Sequence, residues 1–180
     1  MNKKIMWLMV GLVAAVLPAV AVADVMLTAY VYGNEAPVGD AFYVQQGPNY
    51  ANANAMAGFM WASHGTSESE ILGNVTIGYM PNETITEVNV LDINFTGLTG
   101  PSTFNITVQI STVFPTGSFI YLSDSLQSLS SLSGSINLAA IGHTTMTFTV
   151  TDSSTIYIGF EVGSGAGGGT FELDMALTET

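Results

Sequence analysis

The chain has 180 residues, with fourteen Asp and Glu, only two basic residues and no cysteine, so its net charge is −12. A surface of this sign excludes nucleic acid and anionic membranes as partners, because both require basic contacts. With 48% hydrophobic and 9% charged residues the composition is not that of a disordered chain, and without disulfides an exported protein of this size relies on its core, on assembly or on metal.

The first residues carry the pattern of an export signal. Two lysines precede the apolar run 5–17, and Ala-Val-Ala at 21–23 is a small-x-small cleavage site before Asp24. The alternative is a retained membrane anchor, because about 19 uncharged residues follow Lys4, which is close to a membrane span. We expect residues 1–23 to be a cleaved signal peptide, with cleavage between Ala23 and Asp24. The mature protein would then be secreted, without basic side chains and without membrane contact.

The mature chain begins with a strand that is apolar on both faces. In "DVMLTAYVY", residues 24–32, one face carries Val25, Leu27, Ala29 and Val31, and the other carries Met26, Thr28, Tyr30 and Tyr32. Such a strand belongs inside a sheet. It is either a central strand of its own domain, or it completes the sheet of the next subunit by donor-strand complementation. The segment "GNEAPVG", residues 33–39, ends this strand and would serve as its hinge.

Residues 40–180 alternate apolar and polar side chains in a series of short strands. The alternation is clearest in "TFNITVQI", "TTMTFTVT", "STIYIGFEV" and "TFELDMALT", and turn sequences such as "LTGPS" and "FPTG" separate them. About eight short strands at this spacing predict an all-β, jelly-roll-like antiparallel β-sandwich.

Three other stretches are less regular. "NYANANAMAGFMWASHG" predicts either a helix or an irregular strand, and "SDSLQSLSSLSGS" predicts one or two helical turns capped near Ser123 or Asp124. The glycine-rich run 163–169 is predicted to be a hairpin loop, because neither a lysine nor a helix follows it as in a phosphate-binding loop.

The sequence contains no motif that supports catalysis. It has no cysteine, no Gly-x-Ser-x-Gly elbow and no His-Glu-x-x-His pattern. We therefore expect no enzymatic activity, no catalytic residue and no cofactor. His64 and His143 are expected to be surface or hydrogen-bonded residues. The alternative is that His64 joins Glu68 and Glu70 in a structural metal site, or that carboxylates bind calcium, but no metal ligand set is predicted.

Four Asn-x-Thr sequons lie close together, at Asn74, Asn82, Asn94 and Asn105. In an exported chain this sequence is the acceptor for N-linked glycans. Asn105 lies on the polar face of its predicted strand and Asn82 follows a proline in a turn, so both have room for a glycan. We predict N-glycosylation at these positions.

These features together resemble one family of assembling proteins. The small-x-small site before Asp24, the apolar stretch 24–32, the cysteine-free Thr- and Gly-rich β domain and the clustered sequons resemble archaeal donor-strand-complemented pilus subunits. These are the bundling-pilus or thread type, similar to the bacterial biofilm matrix protein TasA. The resemblance implies a jelly-roll subunit with outward glycans that inserts its N-terminal strand into a neighbour, here through Val25, Met26, Leu27, Ala29, Tyr30, Val31 and Tyr32. The TasA-like group also includes camelysin-type metallopeptidases, but this sequence has no zinc-protease motif, so that activity is not implied.

The sequence therefore predicts a secreted structural subunit of an extracellular filament, either a pilus or a biofilm matrix fibre. Its partners would be identical subunits, joined head-to-tail and able to bundle laterally. The alternative is a monomeric exported β-sandwich that acts as a carbohydrate-binding or adhesion module. In that case Trp61, Tyr43 or Tyr50 would stack on sugar rings.

Overall fold

The computed structural model describes residues 41–67, 69–78, 83–165 and 168–178, which all fall in one unit of the chain, Asn34–Thr180. These residues form ten strands and two short helices. The strands are β1 Phe42–Gln46, β2 Met60–Ser67, β3 Glu70–Ile77, β4 Ile85–Phe95, β5 Ser102–Ile110, β6 Phe119–Ser123, β7 Ser135–Asn137, β8 Gly142–Val150, β9 Thr155–Val162 and β10 Gly169–Thr178; the helices are α1 Tyr50–Ala57 and α2 Leu126–Ser130.

The strands form two antiparallel five-stranded sheets in jelly-roll order. Sheet A has the order β1-β4-β9-β6-β7 and sheet B the order β2-β3-β10-β5-β8. Without β1 and β2, the eight remaining strands run as β4-β9-β6-β7 and β3-β10-β5-β8, which is the order of an eight-stranded jelly roll. β1 and β2 widen the sheets by pairing with β4 and β3. The predicted all-β, jelly-roll-like sandwich is therefore confirmed for the described residues.

The core lies between the sheets and follows the predicted alternation. The inward residues of β5, β9 and β10 are all buried. Phe104 of β5 joins the two sheets, because its ring centroid lies 4.9 Å from that of Phe42 and 4.7 Å from that of Phe95. Each fully buried side chain of this kind contributes about 1.5–3 kcal/mol. The core can therefore hold the sheets together without disulfides.

Helix α1 resolves the first ambiguous stretch, which contains a helix followed by strand β2. Gly58 ends the helix with φ of 59°, the left-handed conformation that favours glycine. Ala53 is buried against the core, and Asn52 donates a hydrogen bond to the buried carboxylate of Glu87 on β4. The helix is thus fixed by the packing of its inner side.

Helix α2 packs on the outer face of sheet A. Its Leu129 is buried beside Gly159 of β9, where a β-carbon would lie 2.9 Å from the carbonyl oxygen of Glu87. The helix begins after Ser125, one residue beyond the predicted caps. The hydroxyl oxygen of Ser123 instead accepts a hydrogen bond from the Ser125 backbone N–H, at 3.1 Å.

The prediction of a hairpin loop at residues 163–169 is wrong. β9 belongs to sheet A and β10 to sheet B, so this segment crosses from one sheet to the other. The Gly163 backbone N–H donates to the buried hydroxyl of Ser118, at 3.0 Å. Hairpins and crossings share the same glycine-rich composition, so the sequence alone did not distinguish them.

The antiparallel order gathers the connections at two opposite ends of the sandwich. At one end, here called the entry end, lie Ala41, the β4–β5 connection and the β8–β9 connection. There the Thr96 N–H donates to the Ala41 carbonyl at 3.0 Å, and the Ser153 N–H donates to the Phe95 carbonyl at 3.3 Å. The other end, here called the far end, carries α1 and the connections 111–118, 138–141 and 163–165.

Candidate functional site

The edge strands of the two sheets differ in length, and therefore in how many backbone hydrogen bonds each could form with an added strand. β1 and β7 bound sheet A and have five and three residues, whereas β2 and β8 bound sheet B and have eight and nine. β8 pairs with β5 over nine consecutive residue pairs without a shift in register. In the part of the chain that the structure describes, no strand pairs with its other side. A long regular edge of this kind is a template for another strand.

Strand β2, the other long edge, is protected by its own geometry. Its register with β3 shifts between Ser63 and Gly65, and such a bulge twists an edge away from regular pairing. The backbone N–H of Trp61 donates to the hydroxyl of Tyr50, 3.3 Å away, so helix α1 also covers part of this edge. β8 therefore remains as the long edge without such protection.

The inner face of β8 is only partly covered. Met146 and Phe148 face between the sheets but stay partly exposed, whereas their partners across the ladder, Ile106 and Phe104, are fully buried. Val150, at the end of the strand, is buried. An apolar surface beside an unpaired backbone edge is the environment that an added strand would cover.

Threonines fill most of the outer face of β8. The hydroxyl oxygens of Thr145 and Thr107 are 2.9 Å apart, and the Thr147 hydroxyl donates to Oδ1 of Asn105 at 2.7 Å. These contacts hold β8 firmly against β5. The strand contains no Lys, Asp or Glu, the charged residues that usually block pairing at a sheet edge.

A cavity of about 360 Å³ adjoins the end of β8 at Val150. Asp124, the β8–β9 connection and the first residues of β9 complete its lining. Ser154, Thr155 and Tyr157, which carry hydroxyl groups, line it together with Asp124. The cavity therefore suits a polar or positively charged group.

The whole predicted assembly segment, with its cleavage site and hinge, lies outside the described residues. This applies to the cleavage site at Ala23 and Asp24, the hinge 33–39 and every predicted donor residue, namely Val25, Met26, Leu27, Ala29, Tyr30, Val31 and Tyr32. Asn82 also lies outside them. For these positions the sequence predictions stay predictions.

The three other sequons lie in different environments. Asn74 on β3 and Asn105 on β5 share the outer face of sheet B, with β10 between them. Asn94 lies on sheet A, where its Oδ1 accepts a hydrogen bond from the Thr155 hydroxyl at 2.9 Å. Its Nδ2, the atom that would carry a glycan, is buried and has no hydrogen-bond partner among the described residues. Asn74 and Asn105 are thus the better placed acceptors.

The two histidines lie on sheet B. Nε2 of His64 is 3.2 Å from Oε2 of Glu172, so its partner is a residue of β10 rather than the predicted Glu70. Glu68, the other predicted partner, lies outside the described residues. His143 is exposed at the start of β8. Within the described ranges no three His, Asp or Glu residues come together in a group that could hold a metal ion.

The aromatic residues predicted to stack on sugars are partly in the core. Trp61 is buried, and its ring lies against Gly73 of the neighbouring strand. Tyr50 packs edge-on against Phe59, with 5.6 Å between ring centroids. Tyr43 lies on the outer face of β1 and is half-buried. Of the three, Tyr43 is the one placed on an outer sheet face.

Two titratable groups on sheet A have displaced pKa values. Burial raises the pKa of Asp92 above its ordinary value, and a hydrogen bond with Gln45 opposes the rise. Burial also raises the pKa of Tyr121 to about 12. Glu161 adds to this rise, because its Oε2 accepts a hydrogen bond from the Tyr121 hydroxyl at 3.1 Å. Both groups belong to the other sheet from β8 and report on the stability of the fold.

No protein-family model and no curated protein matches the sequence. A solved structure described as "CBM4 structure and function" is similar, with 18% identity and a TM-score of 0.38. The match covers 82% of this chain and 94% of that chain. A likeness at this level carries no argument about function. No helix among the described residues is long and apolar enough to cross a bilayer.

The sequence did not identify β8 as an unpaired edge strand. Its alternation predicted an ordinary half-buried strand, since the position of a strand within a sheet is not encoded in its own residues. One signal was present: threonine at successive outward positions in a strand without charge. This signal indicates an exposed, uncharged strand, although not which neighbour it lacks.

Proposed function

We propose that the protein is a secreted structural subunit of an extracellular filament, in which residues 24–32 of one copy pair with the free edge of β8 in the next. The observation that supports this proposal is the edge itself. It is nine residues long, regular and uncharged, and Met146 and Phe148 are partly exposed beside it. Because donor and acceptor are different surfaces, the contact is head-to-tail and generates a filament.

The donor segment and the acceptor edge match in length and in chemistry. Residues 24–32 and strand β8 both have nine residues. One apolar face of the donor would cover Met146 and Phe148, and the other would extend the outer face of sheet B. Each ladder hydrogen bond contributes about 0.5–1.5 kcal/mol and each buried apolar side chain about 1.5–3 kcal/mol. A joint of this length offsets an association cost of about 4–15 kcal/mol.

The subunit's own β8 competes for the same strand. Ala41 lies at the entry end, where β8 also ends, so residues 33–40 are long enough for the strand to reach its own subunit. An attached strand acts at an effective concentration on the order of mM. Polymerisation therefore requires residues 33–40 to hold the strand away from its own edge.

Glycans on Asn74 and Asn105 fit this assembly. Both residues lie on the outer face of sheet B, so attached glycans would point away from the core. The outer face of sheet B in the filament would then carry glycans and threonine and asparagine side chains beside the outward face of the donor strand. Such a surface suits weak lateral contacts between filaments.

The experiment compares the exported full-length chain with a variant that lacks residues 24–32. We expect filaments from the full-length chain in electron micrographs, with a length that rises with concentration. The shortened chain should remain folded and form no filaments. The proposal fails if the full-length chain is monomeric at every concentration and the shortened chain is unfolded, because residues 24–32 would then be a central strand of their own domain.

A further inference from the structure

Exposed apolar side chains are concentrated at one end of the sandwich. Among the described residues, five large apolar side chains are exposed, and four of them lie at the far end. These four, here called the far-end patch, are Met56, Met60, Val113 and Ile141, with relative exposures of 40, 40, 53 and 69%. Two of them lie in α1 and β2 and two in the connections 111–118 and 138–141, so a partner resting on this end would cover apolar side chains across it.

The chain enters the described domain at the opposite end. Ala41 lies at the entry end, and the residues before it include the donor segment 24–32. In a head-to-tail polymer the donor strand leaves its own subunit at this end. If the entry end of one subunit rests on the far end of the next, the far-end patch is covered and the donor reaches β8 where that strand begins, at Gly142.

We propose that subunits stack with the entry end of one against the far end of the next, so that the donor strand runs antiparallel to β8. This inference rests on the proposed function and adds the polarity of the filament. In this arrangement Tyr32 would lie beside Gly142, and Asp24 would lie beside Val150. The antiparallel direction agrees with every strand pairing in the described sheets and is the more stable one.

The cavity at the end of β8 is a second, independent observation for this direction. Cleavage before Asp24 creates an α-amine on a mature chain that has no Lys or Arg. Antiparallel pairing brings this amine to the Val150 end, where Asp124 and Tyr157 line the cavity. The opposite direction would bring it to the apolar far end. A positive amine is favourable beside a carboxylate and costly among apolar groups.

Engineered disulfides test the direction, because the full-length chain has no cysteine of its own. In the first set, Val31→Cys is combined with His143→Cys or with Thr144→Cys; in the second, with Thr149→Cys or with Val150→Cys. Two neighbouring positions in each set allow for either register. Disulfides form only between β-carbons that are close together. After oxidation of the exported chains we expect ladders of cross-linked subunits from the first set and none from the second.

The other outcomes separate this inference from the proposed function. Ladders from the second set alone would overturn the stacking, because the donor would run parallel to β8, and would leave strand donation intact. Cross-links within single chains would overturn both proposals. If filaments form but neither set gives cross-links, β8 is not the acceptor, and this inference is overturned as well.

The far-end patch is tested separately by Val113→Ser and Ile141→Ser. Leu72→Ser is the matched control, because Leu72 is a partly exposed leucine on the outer face of β3 and not in a connection at either end. We expect filaments several-fold shorter from the two patch variants, with ladders still forming from the first disulfide set, and filaments of native length from the control. Native length in all three variants would overturn the contact between the ends.

Discussion

Phe148 should stabilise the protein twice, once within the subunit and once in the joint between subunits. It is partly exposed on the inner face of β8, while Phe104 across the ladder is fully buried. Truncation of a fully buried Phe to Ala costs about 3–5 kcal/mol. We expect Phe148→Ala to destabilise the isolated subunit by about half of that, roughly 2 kcal/mol. In the proposed filament the donor strand would cover the rest of Phe148, so a similar amount, about 1.5–2.5 kcal/mol, should be lost from the joint.

The loss from the joint corresponds to binding that is about ten- to seventyfold weaker. The concentration at which filaments dissociate, followed by light scattering, measures this loss. Denaturant unfolding of subunits without residues 24–32 measures the loss of stability within the subunit. Val44→Ala is the matched control, because Val44 is also half-buried on an edge strand, β1, and packs against the same core. It should destabilise the subunit and leave filament dissociation unchanged.

Two results would refute this reasoning. If Phe148→Ala destabilises the subunit but filaments dissociate at the native concentration, nothing covers Phe148 in the polymer and β8 is not the acceptor. If Val44→Ala weakens filaments as much as Phe148→Ala does, the effect comes from general loss of stability and carries no information about the edge.

Three further predictions concern the fold and its modification. Asp92→Asn should raise stability at neutral pH. The native pKa of Asp92 lies above the unfolded value of about 4, so the native protein loses stability as the pH rises through the native pKa and the buried carboxyl ionises. Thermal unfolding of variant and native protein between about pH 3 and 7 measures this loss. Tyr121→Phe should remove a loss of stability between about pH 10 and 12, where the unfolded phenol ionises and the native one does not; matching alkaline unfolding curves for variant and native protein would contradict this. Mass spectrometry of the secreted protein should find glycans on Asn74 and Asn105 and none on Asn94, whose Nδ2 is buried; a glycan on Asn94 alone would contradict the assignment.

Alternation in the sequence was sufficient to predict the sheets but not the edges. On β5, β9 and β10 every residue predicted to face inward is buried, because each of these strands has a neighbour on both sides. On β8 the same pattern grouped Met146, Phe148 and Val150, yet Val150 alone is buried. Periodicity reports which residues share a face. Whether that face is covered depends on pairings between distant parts of the chain.

For the same reason the sequence predicted the donor segment of the candidate site but not the edge that would receive it. The donor segment stands out because both faces of residues 24–32 are apolar within one short stretch. The proposed acceptor edge is a property of the assembled sandwich, since among the described residues β8 has no neighbour on one side and Phe148 is incompletely covered. Helix α1 gives a further example. Its alanine-rich sequence carries no clear apolar stripe, and it is fixed by contacts such as that between Asn52 and Glu87.

The absence of basic side chains removes one common protection of an exposed sheet edge. Lysine is a common means of blocking an exposed strand, and residues 24–180 contain none. β2 is protected instead by its bulge and by Tyr50, whereas β8 has no such device. If the edge of β8 stayed empty, two subunits could pair through it symmetrically, and that contact would close as a dimer instead of growing. In the proposed filament a donor strand from the preceding subunit would occupy the same edge, so one interaction would both extend the filament and prevent the closed dimer.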